Sequence, residues 1–527
     1  MVALSPIDFT VIALYLLLVI AVGFWAGRGE RDTTDYFLAG RALPWYLIGF
    51  SFYASNMSGA SFVGLMGAAY SHGMAVFNYE WTATFVLIFF ALFMLPVFLR
   101  ARLFTITAYL EARFDRRSRW AYAGFTIVTL MFIDTAGALY AGGIVISTAW
   151  PEVELWQTSA ALAVLAGTYT LFGGLRAVVA TDALQAVLMI VGAGLIFWFG
   201  LGEIGGWQAL SDGLDQAQQR LIKPMSDDFL PWPGILGVIL LGFYYWTLNQ
   251  YFVQRALAAS SLDQGRKGAL FGGLLKLPNV FLMILPGMIA ILLLPALDTP
   301  DRVFPTLAFE LLPVGLRGLV LAALLAAIMS SLDSALNAAA SLLTMDFVKP
   351  LRPKTSERSL LLIGRAFTAL LIVVAALYAP LIERFGSLFQ YFQSTLAYLV
   401  PPIVAVYLGG LFSARFTASG GFYGLAGGVA LGLGLFLAQE VTGLWSLLGL
   451  PSLHFTYMAL IMFFLTLAIM LLVSQREPAA LERSDMLFHW SDLKPEQAVS
   501  ERPWYGDYRL QAAALGLLLA ASIAAFW

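Results

Sequence analysis

The sequence predicts an all-α integral membrane protein of about fourteen transmembrane helices. Three observations carry that prediction. The 527 residues are 60% hydrophobic and 12% charged, with a mean hydropathy of +0.81, too little charge to coat water-soluble domains of that total length. Apolar stretches close to the roughly 20 residues that a bilayer-crossing helix needs recur from end to end. Lys and Arg gather in alternate connections. The same composition excludes other classes. A net charge of −2 offers no basic surface for nucleic acid, and the absence of Cys removes disulfides and thiolate metal sites. The three histidines, His72, His454 and His489, are scattered, which argues against a His-based metal centre.

The apolar stretches lie at 6–27, 44–70, 80–99, 121–149, 155–173, 178–201, 234–256, 268–295, 316–345, 360–380, 385–411, 418–438, 455–474 and 508–526. The first lacks a basic leader and a small-residue cleavage site, so it reads as a retained span. The largest connections are 202–233 and 475–507, and neither is long enough for a separate domain. With the N-terminus outside, the connections after odd-numbered spans, with the adjoining span ends, hold 24 of the 30 Lys and Arg residues; the other side holds Arg220, Lys223, Arg302, Arg317 and Arg384. The positive-inside rule then puts both termini outside. Gly420, Gly424, Gly428 and Gly432 repeat at small-xxx-small spacing in the twelfth span, which predicts close helix packing.

Ionisable side chains at membrane depth cost about 2.5–3.5 kcal/mol each, so every one is a functional candidate. Glu80, Asp134, Asp182, Lys276 and Asp333 qualify, although Glu80 and Asp182 stand near span starts, where a membrane-edge position is the plainer reading. Two polar stretches interrupt apolar spans: "ASNMSGASFVG" (54–64) in the second and "AIMSSLDSALNAAAS" (327–341) in the ninth. Ser, Asp and backbone carbonyls freed by an unwound helix at Ala54–Met57 are hard oxygen ligands that suit a hard cation. Broken helices lining an ion and solute site mark secondary transporters. Ser and Gly that merely permit close packing are the alternative for either stretch alone.

The stretches "DYFLAGRALPWYLIGFSFYASNMSG", "NYEW", "LFGGLRAVVATDALQ", "YYWTLNQYFVQRALAA", "MSSLDSALNAAASLLTMDFVKP" and "RPWYGDYRL" resemble the sodium:solute symporters, and within them the sodium/glucose cotransporter branch. The resemblance spans nearly the whole chain. It implies a LeuT-type core of two inverted five-helix repeats, 44–201 (spans 2–6) and 234–411 (spans 7–11). Span 1 and spans 12–14 (418–527) would be peripheral. It implies one Na⁺ held by backbone carbonyls of Ala54, Met57 and Ala327 and the hydroxyls of Ser330 and Ser331. A second Na⁺ would fall to Asp182, Ser330, Asp333 and Ser334. Asn56, Ser61, Glu80, Lys276 and Gln393 would line the solute pocket, with Tyr245 as the aromatic gate that stacks on a sugar ring. Ala60, Ser61 and Gly242 replace polar residues of a bacterial sugar carrier, so the pocket should be roomier.

The reading is Na⁺-coupled uptake of a small neutral, sugar-like solute across a plasma membrane of the bacterial inner-membrane kind, surrounded by lipid and without an obligate protein partner. A polyol such as inositol, or an amino acid or carboxylate, is the alternative cargo. A sodium-gated sensor or channel ranks below these, for want of an output domain. An enzyme ranks lower still, for want of a nucleophile–base pair, metal cluster or nucleotide loop.

Overall fold

Ser5 opens the first membrane helix, α1 (Pro6–Ala26). Its hydroxyl accepts from the Asp8 N–H while the Asp8 carboxylate accepts from the Ser5 N–H, and Pro6 supplies the helical φ of the first turn. The structure, a computed structural model, describes residues 4–28, 32–150, 152–170, 174–385, 387–449, 453–477, 485–494 and 504–527. These residues are helical apart from turns and two isolated bridges. Residues 171–173, which close the fifth predicted stretch and open "LFGGL", and 502–503 of "RPWYGDYRL" lie outside the described residues.

Every one of the fourteen predicted stretches contains helix. Among the described residues, ten helices are long and apolar enough to cross a membrane, and an eleventh candidate is a pair, Leu388–Leu399 and Pro401–Phe412, bent by 49°. Pro401 and Pro402 explain the bend, because proline cannot donate to the preceding turn and its ring clashes with it. Between the second and third stretches the chain turns at Gly73, with φ 68°, where a Cβ would stand 2.2 Å from the Gln218 carbonyl oxygen.

The inner bundle is built from α2 (Trp45–Asn56), α3 (Asn78–Phe89), α4 (Leu175–Glu203), α5 (Ile235–Phe243), α6 (Gln250–Leu257), α7 (Leu262–Lys276) and α8 (Leu316–Leu342). Helix α2 packs on α7, α4 and α8, and α7 packs on α3. Helix α1 reaches this bundle through Asp8, whose carboxylate accepts from the Gly315 (2.7 Å) and Gly318 (2.9 Å) N–H groups at the start of α8. An anion at a helix N-terminus is favourable because the first N–H groups lack intrahelical partners.

The glycine stripe packs inward, as its spacing predicts. A Cβ at Gly424 would meet Met470 at 2.4 Å, and one at Gly432 would meet the Tyr398 carbonyl oxygen at 2.1 Å.

The second span is helical through Asn56 and breaks at Met57 (φ −75°, ψ 64°), three residues later than the start of the predicted unwinding. The polar stretch of the ninth span is one helical run: α8 is regular through Leu342. Its serines satisfy themselves along the helix, Ser331 donating to Ala327 O (2.9 Å) and Ser334 to Ser330 O (2.6 Å). The second break lies in the seventh span, at Asn249 (φ −68°, ψ 128°), between a π-helical turn Tyr244–Leu248 and α6. The chain's own pattern "WTLNQYF" is too apolar and too aromatic to announce it.

Candidate functional site

At the first break the Ser58 N–H turns to Asn56 O (2.8 Å), which removes the donor that continued helix would bring to Ala54 O. A π-helical turn, Ser61–Leu65, follows. Gly59 lets this segment press against α8, since a Cβ there would lie 2.7 Å from Ile328. Ser55 Oγ and Ser334 Oγ are 3.2 Å apart. The broken helix and the serine-rich turn of α8, which carry Ala54, Met57, Ala327, Ser330 and Ser331, therefore lie side by side.

A cavity of about 130 Å³ opens beside the break. Asn56, Ser61, Glu80, Tyr245 and Gln393 all line it, and so do Ala60 and Gly242. Lys276 stands behind the wall. It is fully buried, ion-pairs with Glu80 and donates to Asn56 Oδ1, with its ammonium 5.6 Å from the centre of the Trp246 ring. The Ser61 hydroxyl donates to Asn56 O (2.7 Å). Tyr79 and Phe389 pack edge to face, 5.0 Å apart, on one side of the space, and Tyr245 packs on Phe252, 4.8 Å away, on the other.

Asn279 was not singled out in the sequence. Buried, it donates to Glu80 Oε2 and faces Met57 Sδ (3.2 Å), while its Oδ1 accepts from the Tyr53 hydroxyl (3.1 Å). It ties the helix break to the carboxylate that lines the cavity. Its sequence signal is its place beside Pro278, shortly after Lys276, which reads as a bent, interior-facing segment.

A second cluster lies deeper. Asp182, Asp333, Ser330 and Ser334 are buried, and Ser330 donates to Asp182 Oδ1 (2.5 Å). Sequence reading counted Arg255 as a cation at a span end. The break at Asn249 instead carries it inside, where Nη2 lies 3.0 Å from Asp182 Oδ2 and donates to Ser334 Oγ (2.5 Å). Nε donates to Ser51 and Nη1 to Tyr251 O. Asp134, half-buried, accepts from the Tyr251 hydroxyl (3.2 Å).

Over the cavity's Tyr79–Phe389 side, Phe229 stacks on His72 (3.9 Å) and lies 6.0 Å from Phe389. Asp301, in the connection before span 9, accepts from the Leu388 N–H (3.0 Å) that begins the bent pair, and burial pushes its carboxyl up to about 6.

A multi-pass helical membrane protein with a broken helix, a small polar cavity beside it and charges sealed within the bundle is a solute carrier by architecture. Comparison with known proteins identifies which kind. The profile of the sodium:solute symporter family matches residues 36–428. A sodium/glucose cotransporter of Vibrio parahaemolyticus is 35% identical over 463 residues, covering 82% of this chain and 85% of that protein. Sodium/glucose cotransporter 4 of Danio rerio is 33% identical over 552 residues (95% and 84%), and sodium/myo-inositol cotransporter 2 of Mus musculus is 36% identical over 472 residues (82% and 70%). The structure of a Na⁺-coupled sialic acid symporter in a substrate-bound outward-open state superposes with a TM-score of 0.78 at 21% identity, covering 90% of this chain and 99% of that one. The chain belongs to the sodium:solute symporter family.

Proposed function

We propose that the protein is a Na⁺-coupled symporter that imports a neutral, sugar-like solute by alternating access. The observation that carries this reading is the Glu80–Lys276–Asn56–Asn279 network, in which Glu80 and Asn56 line the cavity while Lys276 and Asn279 back them and reach the helix break at Met57. Glu80 accepts, Asn56 and Gln393 both donate and accept, and Tyr245 offers a ring face, a set suited to a polyhydroxyl ligand without net charge. The Glu80 and Lys276 charges cancel each other, so a free cation for a carboxylate solute is missing from the set. We assign the coupling Na⁺ to the carbonyls of Ala54, Met57 and Ala327 and the hydroxyls of Ser330 and Ser331. Support comes from the loss of the Ser58 donor at Ala54 O and from the packing of the break on α8.

The same reading takes all fourteen apolar stretches as crossings, with both termini outside and the membrane as a bacterial inner membrane. It takes 44–201 and 234–411 as the two inverted repeats. The breaks at Met57 and Asn249 support that division, since each falls in the first helix of its half. Inositol is the second cargo to test. Ala60 and Gly242 offer no polar side chain to the cavity wall and Ser61 only a hydroxyl, and an inositol cotransporter is as similar in sequence as the glucose carriers.

Thermal unfolding of the purified protein tests the reading. Na⁺ should raise the midpoint, and glucose, galactose or myo-inositol should raise it further only when Na⁺ is present. A larger response to proline or lactate, or a solute response indifferent to Na⁺, would overturn it.

A further inference from the structure

The connection 202–233 brings an aromatic ring against the wall of the cavity. Phe229 stacks face to face on His72, with 3.9 Å between ring centres and 9° between planes. Its ring lies 6.1 Å from Tyr79 and 6.0 Å from Phe389, and those two are 5.0 Å apart. Tyr79 and Phe389 line the cavity, whereas Phe229 stands behind them. Rings at these separations attract one another beyond the area they bury. The three come from three elements: Tyr79 from α3, Phe389 from the bent pair and Phe229 from the connection. The Phe229 backbone is held as well. Asp227 Oδ1 accepts from the Phe229 and Leu230 N–H groups (2.9 Å each). His454 Nδ1 accepts from the Thr456 N–H (3.3 Å), so Nε2 carries the proton and donates to Phe229 O (2.9 Å). Farther back, Asn78 Nδ2 donates to Leu221 O (2.7 Å). One bond is missing from this assembly: the Tyr79 hydroxyl is buried without a hydrogen-bond partner among the described residues. A buried polar group left unpaired disfavours the arrangement that holds it, and water reaching the phenol as the rings part would satisfy it.

We propose that Phe229 is the outer lid residue of the solute cavity: with its ring seated between His72 and the Tyr79–Phe389 pair the cavity is shut from outside, and solute enters only when that ring withdraws. The distribution of Lys and Arg puts the connection on the outer face, where His72 is exposed. Phe389 and Gln393 both line the cavity, four residues apart on one helix face, so a solute held by Gln393 acts one turn from the ring on which Phe229 rests. The inference rests on the proposed function and adds the residue that controls access to its site.

The chain has no Cys, so a single introduced thiol reports access to the cavity. Leu65 lines the cavity and is 7% exposed. The probe is a membrane-impermeant methanethiosulfonate applied to Leu65→Cys protein in right-side-out and inside-out membrane vesicles. In right-side-out vesicles, adding Phe229→Ala should speed labelling about tenfold, the scale of one lost aromatic cluster contact. Phe229→Tyr, which keeps the ring, should label at the parent rate. In the chain without the thiol, Phe229→Ala should lower the maximal rate of Na⁺-driven glucose or myo-inositol uptake and leave KM for external solute unchanged or lower, because a site that opens but closes poorly still binds from outside. A merely structural Phe229 would instead lower the thermal midpoint and leave the labelling rate of the folded protein alone. Equal labelling with and without the ring would overturn the proposal, as would an acceleration confined to inside-out vesicles, or a thiol unreactive in every variant until the chain is unfolded. Should Phe229→Ala fail to fold, Phe229→Leu, apolar but without a ring face, takes its place. Failure of the underlying reading looks different: Na⁺ would drive no uptake in the unaltered chain, while the labelling difference would persist.

Discussion

The Glu80–Lys276 pair and the Asp182–Arg255 pair both put a carboxylate and a cation inside the same bundle, yet their surroundings differ. Glu80 lines a cavity, its side chain retains 7% exposure, and its neighbours Asn56 and Asn279 are amides that can re-pair. Asp182 and Arg255 have no exposure, and their neighbours are hydroxyls already bonded to the pair or to helix carbonyls. A pair at the edge of a polar space can exchange one partner for a solute hydroxyl at little cost. A sealed pair cannot, because every released bond leaves a buried polar atom unmatched. The first arrangement suits recognition and the second suits a fixed internal charge.

Removing one member of the sealed pair should have the largest effect of all. Asp182→Ala leaves a buried guanidinium without its carboxylate, a loss of about 3–5 kcal/mol for a pair of this kind. The purified variant should unfold at a clearly lower temperature. Adding Arg255→Met to it should recover most of the loss, because two apolar residues replace both charges. A double variant no more stable than the single would show that the pair is not the unit that matters.

At the cavity the same surgery should strike binding rather than folding. Glu80→Ala and Lys276→Ala should each weaken solute affinity tenfold to a hundredfold, about 1–3 kcal/mol. Na⁺-dependent stabilisation should survive in both. Measured solute affinity equal to wild type would put the binding site elsewhere, and loss of Na⁺ response along with folding would make this pair as structural as the other.

The contrast also separates what the sequence disclosed from what it hid. Spans were legible because twenty apolar residues in a row have few other uses. Glu80 and Lys276 were legible because isolated charges in such spans are costly. The break at Met57 was legible in "ASNMSG", within three residues. Arg255 was not, because it lies at the end of an apolar stretch where a cation normally meets water. Only the turn at Asn249, set by tertiary packing of Tyr244–Leu248, brings it inside. The serines of the ninth span read as one helical run, and they are helical: a Ser hydroxyl can bond the carbonyl four residues back, and Ser331 and Ser334 do so without leaving the helix.

Ser331 lies between the two regions, on the face of α8 next to the helix break, and its replacement should have a moderate effect. Ser331→Ala removes one proposed Na⁺ ligand and one i→i−4 bond, worth about 1 kcal/mol. Half-saturation for Na⁺ should rise about fivefold with the maximal uptake retained. An unchanged Na⁺ dependence would exclude this hydroxyl from the ion site.

The smallest effect belongs to a carboxylate outside the spans, and it calibrates the other two. Asp301 caps the N-terminus of Leu388–Leu399, and burial raises its carboxyl to about 6 from an ordinary 3.8. The folded chain therefore holds a proton there that the unfolded chain has already released. Stability from this group is present below about pH 4, falls as pH rises through about 6, and is level beyond that. Asp301→Asn keeps an oxygen for the Leu388 N–H and removes the titration. Relative to wild type, its thermal midpoint should hold steady between pH 4.5 and 7 while that of the wild type drifts down by about a degree or two, as a single group can produce in a chain this large. Parallel pH profiles for the two proteins would mean that Asp301 is ionised throughout. Its capping bond to Leu388 N, and not burial, would then set its charge, and a lone carboxylate inside this protein would need no cation beside it.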